Sequence, residues 1–412
     1  MSQRLEPTEY IHLVQDQKFV ATAMRLFEQA APGRHRWIVL ADPAEGRHPE
    51  GASVEFERPE GLWRRDLRDR VVFIHLMNGR ASRVVMGMHG PRFIWIAWGG
   101  DFYPFLFGSR LLGPKTKQIW PAPRSRLSRR LARGIFGWSI EHLPQALIRA
   151  AVRLLPLDVA RTASVPALIR RCFGMIFVLP AEAELLRERL PDLRFRNFEW
   201  NYYSFGDEQL PPVPERGREP AVLIGNSATP EGNHLECLDL LEAVAQPFDV
   251  YIPLSYGTAG YREALKAALP PLPTHRLHLL EHFLPLRDYE AITNRCCYVI
   301  MGHKRQQAMG NIVYALAIGA RVYLDPSNPI YDHFRVEGAT IFTLEDFAGH
   351  AQEQAGWLDE AATHGNREVI RRLYGWPVAV EKTRELLAAL EAAPAGGAVS
   401  GGASAIPAEN AS

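Results

Sequence analysis

Cysteine is scarce: Cys172, Cys237, Cys296 and Cys297 are the four in 412 residues, and no Cys-x-x-Cys occurs. That excludes a disulfide scaffold, a zinc ribbon and a thioredoxin-type site, and a reducing cytoplasm is the expected setting. No uncharged apolar run reaches the roughly 18 residues needed to span a bilayer. Residues 1–7 lack the apolar stretch of a signal peptide. An integral membrane protein is therefore excluded, and a peripheral one is not. An excess of charge of one sign is also missing: 47 Lys+Arg stand against 46 Asp+Glu, a formal net charge of +1. Any electrostatic message must lie in local clusters. The chain has no Gly-x-x-x-x-Gly-Lys-Ser/Thr, no Gly-x-Gly-x-x-Gly after its first strand, no His-Glu-x-x-His and no Gly-x-Ser-x-Gly. Readings as an ATPase, a dehydrogenase, a zinc protease or a serine hydrolase fall with them. Asp-x-Asp, the usual carboxylate pair that holds a metal on a nucleotide sugar, is absent too.

What is present describes a soluble globular protein, 47% hydrophobic and 23% charged, long enough for two to three domains. Short apolar runs at 10–14, 37–40, 71–76, 93–98 and 174–179 read as buried strands, with helices at 19–29 and 181–189. The second half repeats the pattern with strands at 221–224, 250–254, 277–280, 298–301, 322–324 and 340–342. Helices at 234–244, 259–268, 286–295 and 312–318 lie between them. Such alternation gives α/β domains with parallel, doubly wound sheets. The proline-rich stretch 210–220 reads as a linker between a domain at 1–209 and one at 221–350. Helices within 351–391 are placed to pack back across the interface, and the Ala/Gly-rich tail 392–412 reads as disordered. No internal repeat occurs. Two such domains facing each other gather the carboxyl ends of both sheets around one cleft, where ligands bind in this architecture.

The loops after strands are the places to look. Gly225-Asn226-Ser227 follows one strand and runs to Asn233-His234 at a helix start. Glycine admits a ligand to the backbone, and the rest offers donors to an anion; an ordinary turn with an N-cap is the competing reading. Pro253-Leu254-Ser255-Tyr256-Gly257 follows the next strand, with Tyr256 free to stack and Gly257 permitting the turn. His303-Lys304-Arg305-Gln306-Gln307-Ala308-Met309-Gly310-Asn311 sets two cations and two side-chain amides before a helix N-terminus, which suits a diphosphate. A solvated charged loop is the bland alternative. In the first half, Trp98-Gly99-Gly100-Asp101 ends a strand. Asp101 there is a candidate base or hydroxyl acceptor, or else a helix-capping residue. His75 and His89 are read as neighbours at strand ends on the same side.

Between Asp101 and Asp158 ten Lys/Arg residues stand against one acid, Glu141. They include Arg126, Arg129 and Arg130 and are interleaved with aromatics such as Trp120 and Trp138. A basic segment with aromatic anchors suits an anionic lipid surface. A single-stranded nucleic acid is the rival ligand.

These pieces together resemble the 4-acetamido-4,6-dideoxygalactose (Fuc4NAc) transferases, glycosyltransferase family 56. The carrying residues are Gly225-Asn226-Ser227 through Asn233-His234, Pro253 to Gly257, Arg305-Gln306-Gln307 with Gly310, then Ile318-Gly319-Ala320 and Asn328-Pro329. Trp98-Gly99-Gly100-Asp101 is similar to the family's Trp-Gly-x-Asp. The resemblance spans roughly residues 10 to 350. It departs from the family pattern at Thr229, where an Asp is expected.

The resemblance implies a GT-B fold with the acceptor in the N-terminal domain and the nucleotide in the C-terminal one. It further implies a dTDP-sugar donor, an undecaprenyl-diphosphate-linked acceptor, a peripheral place on the cytoplasmic face of the inner membrane, and no metal or other cofactor. On that basis Asp101 and Arg305 are the expected catalytic residues. Gly225, Asn226, Ser227, His234, Tyr256, Gly257, Lys304, Gln306, Gln307, Gly310 and Asn311 are expected at the donor. His75, His89, Gly99 and Gly100 are expected on the acceptor side, and Arg126, Arg129, Arg130 and Trp138 at the membrane. A UDP- or GDP-linked donor with another glycan acceptor is the nearer alternative, and a non-catalytic nucleotide or nucleic-acid binder the remoter one. On the favoured reading nucleic acid is not a partner.

Overall fold

The computed structural model describes residues 9–14, 20–41, 54–121, 144–154, 165–200, 210–215 and 220–394. They form two α/β domains, each built on an all-parallel sheet. The first sheet holds β1 (Tyr10–Val14), β2 (His35–Leu40), β3 (Glu55–Glu57), β4 (Val71–His75), β5 (Arg92–Ala97), β6 (Gly174–Phe177) and β7 (Asn197–Phe198), in the order β3-β2-β1-β4-β5-β6-β7. The second holds β8 (Ala221–Ile224), β9 (Asp249–Pro253), β10 (Arg276–Leu280), β11 (Cys296–Met301), β12 (Arg321–Leu324) and β13 (Phe342–Thr343), in the order β10-β9-β8-β11-β12-β13. The central strands are continuous apolar runs because helices cover both faces of each sheet. Separate cores lie on the two faces: Ile74, Trp95 and Phe102 on one side of the first sheet, Tyr10, Phe27 and Phe73 on the other.

Among the helices are α1 (Val20–Ala30), α2 (Gly79–Gly87), α3 (Gly99–Phe107), α4 (Pro114–Ile119), α5 (Pro180–Arg189), α6 (His234–Glu242), α7 (Met309–Ala317), α8 (Glu360–Tyr374) and α9 (Trp376–Ala392). No described helix is long and apolar enough to cross a membrane. In a doubly wound sheet the strand order reverses once, and the crevice opens at that switch point. Here the reversals fall between β1 and β4 and between β8 and β11.

Two segments tie the domains together. α4 leaves the first domain and lies on α6 of the second: Thr116 donates from its backbone N–H and its hydroxyl to the Glu236 carboxylate, at 2.9 and 2.6 Å. Beside them Lys115 pairs with Asp239, and Trp120 meets Tyr261 edge-on. In the other direction α9 returns to the first domain, burying Leu386, Leu387 and Leu390 in the core that contains Tyr10 and Phe27. Trp376 Nε1 donates to Gln29 there, at 2.9 Å. The basic segment is thus partly scaffolding rather than open surface. Lys115 and Trp120 face the second domain, and the Arg149 guanidinium lies over Trp63 while donating to the Gly87 carbonyl. Arg126, Arg129, Arg130 and Trp138 lie outside the described residues, as does the tail beyond Pro394.

Candidate active site

Loops from both switch points converge on a cleft cavity of about 330 Å³. Its first-domain wall is His75, Leu76, Trp98, Gly99 and Gly100. Its second-domain wall is Asn226, Ser227, Thr229, Tyr256 and the run Arg305 to Asn311. A larger cavity of about 780 Å³ opens on the first domain beside α1 and the start of α9, and none of these strand-end loops line it.

On the first-domain side β4 stops one residue short of the expected end. Leu76 turns with φ +96°, and Asn78 N–H closes the turn on the Leu76 carbonyl at 3.2 Å. A leucine in that region is strained and persists only where its surroundings impose it. Asp101 does so: its Oδ2 accepts from Met77 N–H, Trp95 Nε1 and Trp98 N–H, each at 3.1 Å. With 3% exposure and no place in the cavity wall, Asp101 is the clamp of the strained turn and the start of α3. The carboxylate expected to act as the base is held by three donors beneath the wall. His89 is not brought to the cavity. It sits in the loop before β5, at the amino end of the sheet, exposed and opposite the cleft. His75, by contrast, ends β4 and lines the cavity.

On the second-domain side the glycines shape the loops and stand behind the wall. Gly225 has φ +67°, and a Cβ there would meet the buried His234 ring at 2.8 Å. His234 and Gly225 therefore brace the loop from below and do not line the cavity. Gly257, at φ +140°, would carry its Cβ within 2.3 Å of the Ala228 carbonyl oxygen. Its absence lets two backbone bonds join these loops: Ala228 N–H to the Tyr256 carbonyl at 2.7 Å and Thr258 N–H to the Ala228 carbonyl at 2.8 Å. Above them, Gln307 Nε2 donates to Asn226 Oδ1 at 3.0 Å and Thr229 Oγ1 at 2.9 Å, and Asn226 Nδ2 donates to the Tyr256 hydroxyl at 3.3 Å. Thr229, the departure from the family pattern, is thus part of the wall. Lys304 is half-buried and outside it.

Ala308 caps α7 in the left-handed region, φ +61°, and presents the first turn of the helix, Met309-Gly310-Asn311, to the cavity. Those opening N–H groups have no partner within the helix and carry its positive end. Asn311 Nδ2 donates to the Tyr289 hydroxyl at 2.9 Å, which anchors the helix start to the helix Leu286–Thr293 that follows β10. Arg305 lines the same wall, 7% exposed, with one guanidinium nitrogen donating to the Gln306 carbonyl at 2.9 Å.

Across from Arg305 the first domain presents Tyr103 and Glu182. Glu182 is fully buried at the start of α5 and accepts from Leu179 N–H at 2.9 Å. Burial pushes its pKa up to about 8, against the opposing pull of the Leu179 bond, Tyr103 and Arg305. Burial thus favours the neutral form of the carboxyl beside Arg305. The domains touch directly here. Gly99 N–H donates to Gln306 Oε1 at 2.9 Å, and a Cβ on Gly99 would fall 2.1 Å from the Gln306 carbonyl oxygen. Gln306 thus serves as a latch as well as wall.

Of the residues expected from sequence, Arg305, Asn226, Ser227, Tyr256, Gln306, Gln307, Gly310, Asn311, His75, Gly99 and Gly100 meet at this cavity. Leu76 and Glu182 were missed. A strained turn and a buried helix-start carboxyl look like ordinary strand and helix residues in the chain. Ala308, Met309 and Trp98 stood inside motifs already singled out.

The fold places the chain in the GT-B class of glycosyltransferase structures. Sucrose-phosphate synthase from Thermosynechococcus elongatus superposes with a TM-score of 0.57 at 11% identity, over 94% of this chain and 100% of that one. HepE from Anabaena, in complex with UDP and glucose, gives 0.56 at 10% over 93% and 100%. The lipopolysaccharide outer core galactosyltransferase WaaB gives 0.51 at 8% over 93% and 99%. More narrowly, residues 207–361 match the family model described as 4-alpha-L-fucosyltransferase, glycosyl transferase group 56. The resemblance seen in the sequence therefore holds for the second domain. No curated protein matches the chain.

Proposed function

We propose that this protein is a glycosyltransferase that moves a deoxyamino sugar of the Fuc4NAc type from a dTDP donor to a glycan on undecaprenyl diphosphate. It would work without a bound metal, at the cytoplasmic face of the inner membrane. One observation carries the reading: in the domain that matches group 56, a buried arginine and the open first turn of α7 face one cavity with a cluster of amides and hydroxyls. Arg305 and the α7 N-terminus would hold the diphosphate and stabilise it as it leaves. Gln307, Asn226, Ser227 and Thr229 would hold phosphate oxygens or sugar hydroxyls, and the wall from His75 to Gly100 would take the acceptor. HepE, which shares the fold, holds UDP and glucose in its structure, and this favours a nucleotide-sugar donor.

Calorimetric titration with dTDP, UDP and GDP in the presence of EDTA tests the donor. The expected result is a preference for dTDP that Arg305→Ala weakens by about 1.5–3 kcal/mol, a charge-assisted contact. A preference for UDP or GDP would change the donor and keep the class. No binding of any of the three would remove the enzymatic reading.

A further inference from the structure

The cleft wall is rich in amides and hydroxyls, and no carboxylate is among the described residues that line it. Asp101 and Glu182 are buried beside the cleft, and Glu290 lies by Tyr314, one turn past Asn311 on α7. For a nucleotide this composition has a consequence at the pentose. A ribose carries neighbouring hydroxyls at C2′ and C3′, two O–H donors on one edge, and a carboxylate is the side chain suited to such a hydroxyl edge. A 2′-deoxyribose offers a single hydroxyl there, at C3′.

Asn311 ends the cavity wall in the first turn of α7, one residue past Gly310. Its Nδ2 donates to the Tyr289 hydroxyl at 2.9 Å, on the helix Leu286–Thr293. A side-chain amide has one oxygen and one NH2 group. With the NH2 turned to Tyr289, the acceptor that Asn311 keeps for the cavity is one oxygen, Oδ1. Burial pushes the Tyr289 phenol up, so it stays neutral and supplies no charged acceptor beside it. Further out, Phe283 and Leu286 expose apolar surface after β10, which suits a flat base. A nucleotide with its diphosphate at Arg305 and the start of α7 would extend along this wall toward that apolar rim. Its pentose, which lies between phosphate and base, then passes Asn311 and Tyr289.

We propose that Asn311, held in place by Tyr289, selects a 2′-deoxyribonucleotide donor over a ribonucleotide. This rests on the glycosyl-transfer reading and deepens it at the donor. Asn311 Oδ1 accepts from the 3′-hydroxyl of the deoxyribose. A 2′-hydroxyl brought to the same place gives up water and meets an amide and a phenol already bonded to each other, so it lacks a matching partner. Asn311 touches the substrate; Tyr289 is a positioning residue that fixes which way the amide turns.

The test is calorimetric titration of the full chain with four nucleoside diphosphates: dTDP, dUDP, UDP and 5-methyl-UDP, the ribose form of dTDP. The set separates the 2′-hydroxyl from the methyl group of the base. The wild type should bind each deoxy form about tenfold more tightly than its ribose partner, the cost of one unmatched hydroxyl. Asn311→Asp gives the wall a carboxylate, and the ratio should fall toward one or reverse. Tyr289→Phe frees the amide to offer both its oxygen and its NH2 group to a pair of hydroxyls, and the ratio should narrow there too. Because the ratio compares two ligands on one protein, a general loss of affinity or of folded material cancels from it. A merely structural role would therefore leave it unmoved. Equal affinities within each pair in the wild type, or tighter binding of the ribose forms, would overturn the inference. So would a deoxy preference that neither variant reduces; each of these leaves the functional reading standing. A wild type that binds none of the four would remove the functional reading, and the inference with it.

Discussion

Two carboxyls near the cleft differ by what surrounds them. Asp101 meets three N–H donors at 3.1 Å, whereas around Glu182 the low-dielectric wall outweighs the hydrogen bonds from Leu179, Tyr103 and Val178. Asp101→Asn keeps an oxygen to accept from these three donors but removes the charge that strengthens the bonds and buries an NH2 group in the place of Oδ1. We expect a loss of about 1–3 kcal/mol in urea unfolding, with transfer falling only as far as the Leu76 turn relaxes. Complete loss of transfer at undiminished stability would restore Asp101 as a catalytic group. For Glu182 the sign is opposite to that of an ion-paired carboxylate. The native carboxyl keeps its proton to about pH 8, while the unfolded one releases it near 4.5. Between those values the native state binds more protons, so its contribution to stability falls as pH rises, by up to about 1.4 kcal/mol per unit. Glu182→Gln should flatten this part of the profile between pH 5 and 8. An unchanged slope in the variant would show that the carboxyl is ionised. Neither role was legible in the chain, because an Asp or Glu three residues into a helix reads as a cap whether or not it is buried.

At the scale of elements, legibility follows burial. The central strands of both sheets lie within one or two residues of the apolar runs, since a strand covered on both faces must be apolar throughout. The edge strands β3 (Glu-Phe-Glu) and β7 (Asn-Phe) are short, half-exposed and polar, and periodicity does not register them. The start of α7 is the informative miss. Residues 309–311 look like loop, yet the helix opens at Met309 because Ala308 turns into the left-handed region where glycine would be expected. Relieving that strain has a measurable consequence. Ala308→Gly should leave the helix start in place and raise stability by about 0.5–1 kcal/mol, the left-handed penalty of a Cβ offset in part by glycine's unfolded-state entropy. A drop in melting temperature would mean that the Ala308 methyl packs against the wall strongly enough to outweigh its backbone cost.

For the whole molecule, the site exists only as the domains meet, and the residue that joins them was singled out from sequence merely as a loop end. Asn233 sits in the left-handed region, φ +49°, which asparagine tolerates. Its Oδ1 accepts from Gly113 N–H of the first domain at 2.7 Å. Its Nδ2 donates to the Leu111 carbonyl of the first domain at 3.1 Å and the Gly302 carbonyl of the second at 2.7 Å. One buried side chain thus fixes α4's approach and the base of the loop that carries Arg305. Gly302 must come close for this: a Cβ there would stand 2.5 Å from Cys237 Sγ and 2.8 Å from the Gly232 carbonyl oxygen. The spacing of motifs along the chain cannot reveal such a joint, because the partners lie 69, 120 and 122 residues from Asn233. Asn233→Ala leaves three buried backbone groups without their partner, at about 1–3 kcal/mol for each unsatisfied group, less whatever water regains. Opening of the interface is the cheapest way to rehydrate them. The expected outcome is a larger radius of gyration by small-angle scattering, nucleotide binding near that of the wild type, since its loops lie in the second domain, and sharply reduced transfer. A variant as compact and active as the wild type would place the docking energy elsewhere, in the α9 contact with the first-domain core.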